Sequence, residues 1–169
     1  MHHIRALHGT GYPRADASQP PSSITTGAAT RALGDAELVV VRPVPFRSLC
    51  ADHLLPFQGV VHIGHIDSEN HLSTPELTRI VAACTRSIQT QQPMTIRIGL
   101  WLHHQLVPRG VGVLVKANYA CAAAARGDAH LGRPATTMAF CGSMRHSADE
   151  RQEFVALARR ERHKGAAGQ

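Results

Sequence analysis

Apolar and polar positions along the chain follow two periods, and the switches between them mark its elements. Leu38-Val39-Val40-Val41 is a β-branched apolar run that predicts a strand from about Glu37. Pro43, Pro45 and Pro56 bracket a segment expected to bend. Val60-Val61-His62-Ile63-Gly64-His65-Ile66 alternates and predicts a second strand. Thr74-Pro75-Glu76 carries helix-start chemistry: Thr as N-cap, Pro at the first helical position and an acid in the first turn. Leu77, Ile80, Val81, Cys84 and Ile88 then recur at helical spacing. Pro93 interrupts. A second helix is expected from about Met94 to Leu106, closed by Pro108-Arg109-Gly110. Val111-Gly112-Val113-Leu114-Val115 predicts a third strand running towards Cys121. Ala122 to Ala125 also suit a helix, but Gly127 and Gly132-Arg133-Pro134 argue against a long element, so residues 122–133 read as a loop opening, and Ala135 to Cys141 suits a fourth strand. Ser147-Ala148-Asp149-Glu150 is a capping-box sequence before a last helix whose apolar side holds Phe154, Val155 and Leu157.

The resulting order, β-β-α-α-β-β-α, predicts an α+β domain: an antiparallel four-stranded sheet with helices on one face. Such a sheet has two open edges, and pairing them between subunits favours a closed ring. Residues 1–36 carry Pro13, Pro20, Pro21, Ser22, Ser23 and Gly27 without a sustained period and are expected to be flexible. The domain is expected over 37–163, with a flexible tail at 164–169.

Composition narrows this picture. A length of 169 residues suits one domain, and 43% hydrophobic residues suffice for a core. Aromatics are only 4%, so that core must be mainly Val, Leu, Ile and Ala. No apolar run approaches the roughly 20 residues of a membrane helix. Met1-His2-His3-Ile4-Arg5 lacks the apolar stretch of a signal peptide, so a cytoplasmic location is expected. The net charge is +6, much of it in Arg145, Arg151, Arg159, Arg160, Arg162 and Lys164. That pattern reads as the solvated face of a terminal helix. Without interleaved aromatics or a base-reading motif, no nucleic-acid partner is expected.

The chain has four cysteines, Cys50, Cys84, Cys121 and Cys141. In a cytosolic protein of this size they suit metal binding or catalysis better than disulfides. Cys50-Ala51-Asp52-His53 sets a thiol and an imidazole three residues apart, and Cys121 follows at the end of another strand. These are preferred zinc ligands, and three of them leave a fourth position for water, whose pKa zinc lowers to about 7. The spacing equally fits two buried apolar cysteines and a hydrogen-bonded core histidine.

Ser48-Leu49-Cys50-Ala51-Asp52-His53-Leu54-Leu55-Pro56-Phe57-Gln58-Gly59 resembles the zinc-site signature of the GTP cyclohydrolase I family, usually S-x-C-E-H-H-L-x-P-F-x-G. The likeness continues through Leu77, Arg79-Ile80-Val81, Gln89-Thr90-Gln91, Thr95 and Pro108-Arg109-Gly110-Val111-Gly112-Val113. Cys121, Arg126-Gly127 and Arg151-Gln152-Glu153-Phe154 extend it, so that it covers about residues 37–160. The resemblance implies the tunnelling fold, usually a D5 decamer of two pentamers with sites at subunit interfaces. It implies Zn2+ on Cys50, His53 and Cys121. The implied chemistry is hydrolytic opening of the imidazole ring of GTP at C8, followed by formate release, ribose rearrangement and closure to 7,8-dihydroneopterin triphosphate.

Four departures qualify that implication. Asp52 replaces a proton-shuttling His; a carboxylate serves better as a base than as a proton donor at neutral pH. Tyr119 replaces a second catalytic His and suits hydrogen-bond donation. The guanine-reading Gln-Glu pair is Gln91-Gln92, and an amide offers a mixed donor–acceptor edge where a carboxylate offers two acceptors. In the phosphate-binding S-K-x-x-R, Glu76 takes the place of the Lys while Arg79 remains. Arg126, a further phosphate ligand by resemblance, is offset by one extra residue after Cys121. The expectation is therefore a zinc-dependent cyclohydrolase-type hydrolase acting on C–N bonds of a purine- or pterin-like ring. Its substrate should differ from GTP and carry fewer phosphates. Asp52 and Tyr119 are the expected catalytic residues, and Gln91, Gln92, Arg79 and Arg126 the substrate-binding ones. Authentic GTP cyclohydrolase I and a non-catalytic purine- or pterin-binding subunit are the alternatives. A nicotinamide-dependent nitrile reductase of the same fold is disfavoured, because Cys50, His53 and Cys121 are kept together.

Overall fold

The computed structural model describes residues 29–68, 72–126 and 134–160. Six strands in it form one sheet: β1 (Ala29–Leu33), β2 (Ala36–Cys50), β3 (Pro56–Ser68), β4 (Ile88–Gln89), β5 (Pro108–Tyr119) and β6 (Ala135–Gly142). Four helices accompany them: α1 (Thr74–Thr85), α2 (Gln91–Leu106), α3 (Ala120–Arg126) and α4 (Ala148–Arg160). The strands run in the order β1-β2-β3-β5-β6 with antiparallel neighbours, and β4 pairs in parallel with the end of β2.

The class is α+β as expected, but the sheet is six-stranded and mixed rather than four-stranded and antiparallel. The four expected strands are β2, β3, β5 and β6. β1 lies inside the segment whose composition reads as flexible. It is held by continuous pairing of Ala29 to Leu33 with Val40 to Ala36 around a turn at Gly34, whose φ is 62°. β4 has two residues, too few to show a period. β2 continues through Pro43 and Pro45; the expected bend is a register shift between Val41 and Val44, which takes in Pro43, while Pro45 stays in register opposite Val60.

Helix boundaries shift for local reasons. α2 begins at Gln91, so Pro93 falls in its first turn, where a missing N–H costs no intrahelical bond. α1 ends at Thr85, and Ile88, counted above with its apolar face, is 57% exposed in β4. The N-cap of α1 is Ser73 rather than Thr74, and the Glu76 carboxylate accepts both the Ser73 N–H (2.7 Å) and its hydroxyl (2.6 Å). Ahead of α4, Ser147 Oγ accepts the Glu150 N–H at 3.2 Å. The Glu150 carboxylate turns instead to Arg109 (3.0 Å) and the Ser143 hydroxyl (2.7 Å).

α1 and α2 cover one face of the sheet. Leu77, Ile80, Val81, Met94, Ile98, Leu102 and Leu106 meet Val41, Val44, Phe46, Phe57, Val61, Ile63, Val111, Val113 and Val115 there. Strand alternation sends Leu38, Val40, Ile66 and Leu114 to the opposite face, where Phe154, Leu157 and Ala158 of α4 cover them. Gly64 and Gly112 make room for Phe154, since a Cβ would come within 2.5 Å and 2.8 Å of its ring. Among the described residues no helix is long and apolar enough to cross a membrane.

One end of the sheet gathers the chemistry. β2 stops at Cys50, β3 starts at Pro56, and register sets Phe57 of β3 opposite Tyr119 at the end of β5. Residues 51–55 and the start of α3 therefore share that end.

Candidate metal centre

The loop after β2 is tied at both ends. Cys50 N–H donates to Leu55 O (2.9 Å), Leu54 N–H to Cys50 O (2.8 Å) and Ala51 N–H to Gln89 O (3.1 Å). Leu54 takes a left-handed backbone, φ 55°, to close this turn. The turn folds His53 back onto Cys50, with Nδ1 3.7 Å from Sγ. Cys121, expected at the end of a strand, arrives from the other side as the second residue of α3, which runs into the segment from Ala122 expected to open a loop. The donor atoms of Cys50, His53 and Cys121 all lie within 4.8 Å of one another.

Two thiols and an imidazole are a zinc donor set. Tetrahedral zinc with metal–sulfur bonds of about 2.3 Å and metal–nitrogen bonds of about 2.0 Å separates its donors by roughly 3.5–3.8 Å. The Cys50–His53 separation already lies in that range. Cys50 is 3% exposed, Cys121 half-buried and His53 exposed, so the cluster is rooted in the core and open on one side.

Two expected catalytic residues border this cluster. Asp52, exposed, holds Oδ2 3.9 Å from Cys50 Sγ. Tyr119 is half-buried with its ring stacked on Phe57, centroids 4.7 Å apart and planes 5° from parallel. Burial pushes the Tyr119 phenol up, and the charges of Cys50, Cys121 and Asp52 add to this, while the Gln91 backbone N–H opposes it. The phenol is therefore a neutral hydrogen-bond donor at physiological pH.

The remaining expected residues are more dispersed. Gln91 is 4% exposed and its Nε2 donates to Val115 O (3.1 Å), Ala135 O (3.3 Å) and Thr137 Oγ1 (3.0 Å). That amide nitrogen ties α2 to β5 and β6, leaving Oε1 buried without a partner. Gln92 is exposed in the first turn of α2. Arg79 is exposed in the first half of α1, which starts beyond the end of β3 furthest from Cys50. It does not join the cluster within one chain. Arg126 ends α3, and its side chain lies outside the described residues.

Sequence reasoning gave no role to two residues that hold the centre. Phe57, within the quoted signature, backs Tyr119. Gln89 donates to Ser48 Oγ (3.2 Å) and Cys84 O (2.9 Å) and accepts from Arg97 (3.2 Å), fixing β4 beside Cys50. Gln89 stood within the Gln89-Thr90-Gln91 segment of the resemblance, but nothing there assigned it a role.

An α+β sheet carrying a Cys-His-Cys cluster at one end defines a candidate metalloprotein with a half-open site. The chain belongs to the GTP cyclohydrolase I family, whose model matches residues 14–159. It is 35% identical over 123 residues to GTP cyclohydrolase 1 of Homo sapiens, an alignment covering 73% of this chain and 49% of that protein. Against GTP cyclohydrolase 1 of Campylobacter concisus it is 36% identical over 132 residues, covering 74% and 69%. For Nitrosospira multiformis the identity is 34% over 140 residues, covering 83% and 73%. The chain thus spans about half the length of its human relative. It is a GTP cyclohydrolase I-like protein with a candidate Cys/His metal site.

Proposed function

We propose that the chain is a zinc-dependent hydrolase that opens a purine- or pterin-like ring at a C–N bond, on a substrate differing from GTP and carrying fewer phosphates. The convergence of Cys50, His53 and Cys121 at the end of the sheet carries this reading. These three residues would hold Zn2+, which when bound supplies Lewis acidity and an acidified water. Asp52 stands beside the cluster to take up a proton, and Tyr119 donates a hydrogen bond to oxygen developing negative charge. Gln92, exposed at the start of α2, meets the edge of the heterocycle with one donor and one acceptor. Gln91 contributes its orphan Oε1 on the same turn. Arg79 and Arg126 remain as anion contacts. The capping role of Glu76 beside Arg79 makes that region less hospitable to a triphosphate.

The site reads as shared in a tunnelling-fold ring of copies, a decamer by family resemblance. Two observations support this. Arg79 lies away from the cluster of its own chain, and Leu49, Leu54, Leu55 and Ile88 around the metal loop are 40–63% exposed.

A second reading, authentic GTP cyclohydrolase I making 7,8-dihydroneopterin triphosphate, draws on 34–36% identity to proteins of that name. Incubating zinc-loaded protein with GTP, guanosine, guanine and other purines, followed by mass spectrometry, separates the readings. Ring-opened product from a less phosphorylated purine is expected. Rapid conversion of GTP to dihydroneopterin triphosphate favours the second reading, and stoichiometric binding without turnover a non-catalytic purine- or pterin-binding subunit.

A further inference from the structure

The aromatic residues of this chain are few and unevenly placed. Of its seven Phe, Tyr and Trp residues, three form one cluster beside the candidate centre: Phe46, Phe57 and Tyr119. Phe57 is fully buried. One of its faces lies flat on the Tyr119 ring, and Phe46 meets it near-perpendicular, with centroids 5.8 Å apart and planes at 74°. Phe57 and Tyr119 are also direct cross-strand partners of β3 and β5. Each strand leads straight to a metal donor: Phe57 lies four residues after His53, and Tyr119 two before Cys121.

We infer that Phe57 is a positioning residue, holding the plane of the Tyr119 ring so that the phenol O–H presents a fixed donor beside Cys50 and Cys121. This rests on the proposed role of Tyr119. An aliphatic side chain at position 57 fills volume but has no flat face with which to set a ring plane. Stacked against Phe57, the Tyr119 ring loses its rotational freedom, and only the hydroxyl rotor stays free. A donor held in place needs no reorganisation when charge develops on a reacting oxygen, which is what makes preorganised donors effective. Phe46, braced against the second ring, keeps Phe57 from turning in its place. The pair also links β3 and β5, which adjoin His53 and Cys121 in sequence, so a displaced Tyr119 ring moves the phenol without removing a metal ligand.

The test uses full-length zinc-loaded protein labelled with [13Cζ]tyrosine. Only Tyr12 and Tyr119 contribute signals, and Tyr119→Phe assigns them. Phe57→Leu is expected to keep one zinc per chain while shifting or broadening the Tyr119 resonance. It should lower kcat about tenfold on the purine turned over, chosen among GTP, guanosine and guanine, with KM little changed. Tyr119→Phe lowers kcat as well, and adding Phe57→Leu to it should cost nothing further, because the group being positioned is gone. An equal loss from Phe57→Leu in both backgrounds, or an unmoved Tyr119 resonance, overturns the proposal. Should Phe57→Leu fail to fold, Phe57→Met, whose unbranched chain adapts to the gap, and Phe46→Leu, which spares the Phe57 ring, make the same comparison. If none of the purines is turned over, the hydrolase reading fails, while the resonance still decides whether Phe57 orients Tyr119.

Discussion

Cys121 is the donor furthest in sequence from the other two, so it tests whether the three act as one centre. Cys121→Ala leaves a thiol and an imidazole only three residues apart, too few for a tetrahedral zinc site. The expected outcome is loss of bound zinc by elemental analysis together with loss of purine turnover, while the far-UV circular dichroism stays that of the parent. A metal-free but active Cys121→Ala protein would falsify the zinc mechanism. At this scale much of the site was legible. A thiol and an imidazole three residues apart are a local pattern, and the departures at Asp52 and Tyr119 showed once the resemblance was drawn. What single residues hid was direction. Gln91, expected to bind the heterocycle, spends its amide nitrogen on Val115, Ala135 and Thr137 of strands more than twenty residues away, which leaves only Oε1 for the proposed contact. Nothing local in Gln91-Gln92 says which of the two turns inward.

Elements were legible where the period was long and misjudged where backbone pairing or a proline decided. β1 and β4 exist because a neighbour offers hydrogen bonds, which hydrophobic period does not report. Two helix ends offer tests. Val107 closes α2 with φ 46° and ψ 51°, a left-handed conformation that a β-branched side chain resists and glycine adopts freely. It is 49% exposed, so little packing is lost on truncation. Val107→Gly should therefore stabilise the protein by about 1 kcal/mol, read as a higher midpoint in urea at unchanged slope. At the start of α1, the hydroxyl and then the N–H of Ser73 hold the Glu76 carboxyl below its usual 4.5. A lowered folded-state value means that the stabilisation is full above pH 4.5 and is lost as pH falls through the folded-state value. Glu76→Gln should thus melt a few degrees lower than the parent at pH 7, and the two melting curves should converge as pH drops below 4.5.

At the scale of the molecule, the sheet and its two helical layers account for the core but leave an apolar rim around the metal loop. Leu54 is its most exposed member, at 63%. In an isolated chain, replacing it with Asp removes almost no packing, and surface changes of this kind typically fall within about 0.5 kcal/mol. Local geometry even favours the change, because Asp tolerates the left-handed backbone that Leu54 adopts better than Leu does. In a ring, the same position is buried against a neighbour, and a carboxylate without a partner there is strongly unfavourable. The two situations predict opposite outcomes. If copies assemble around this loop, sedimentation of the parent shows a large closed oligomer, and Leu54→Asp shifts it to smaller species with zinc retained. Turnover per chain then falls, because Arg79 of another copy no longer reaches the centre. A parent that sediments as a single chain, or a Leu54→Asp variant that stays fully assembled, removes the shared-site reading while leaving the Cys50, His53 and Cys121 centre intact.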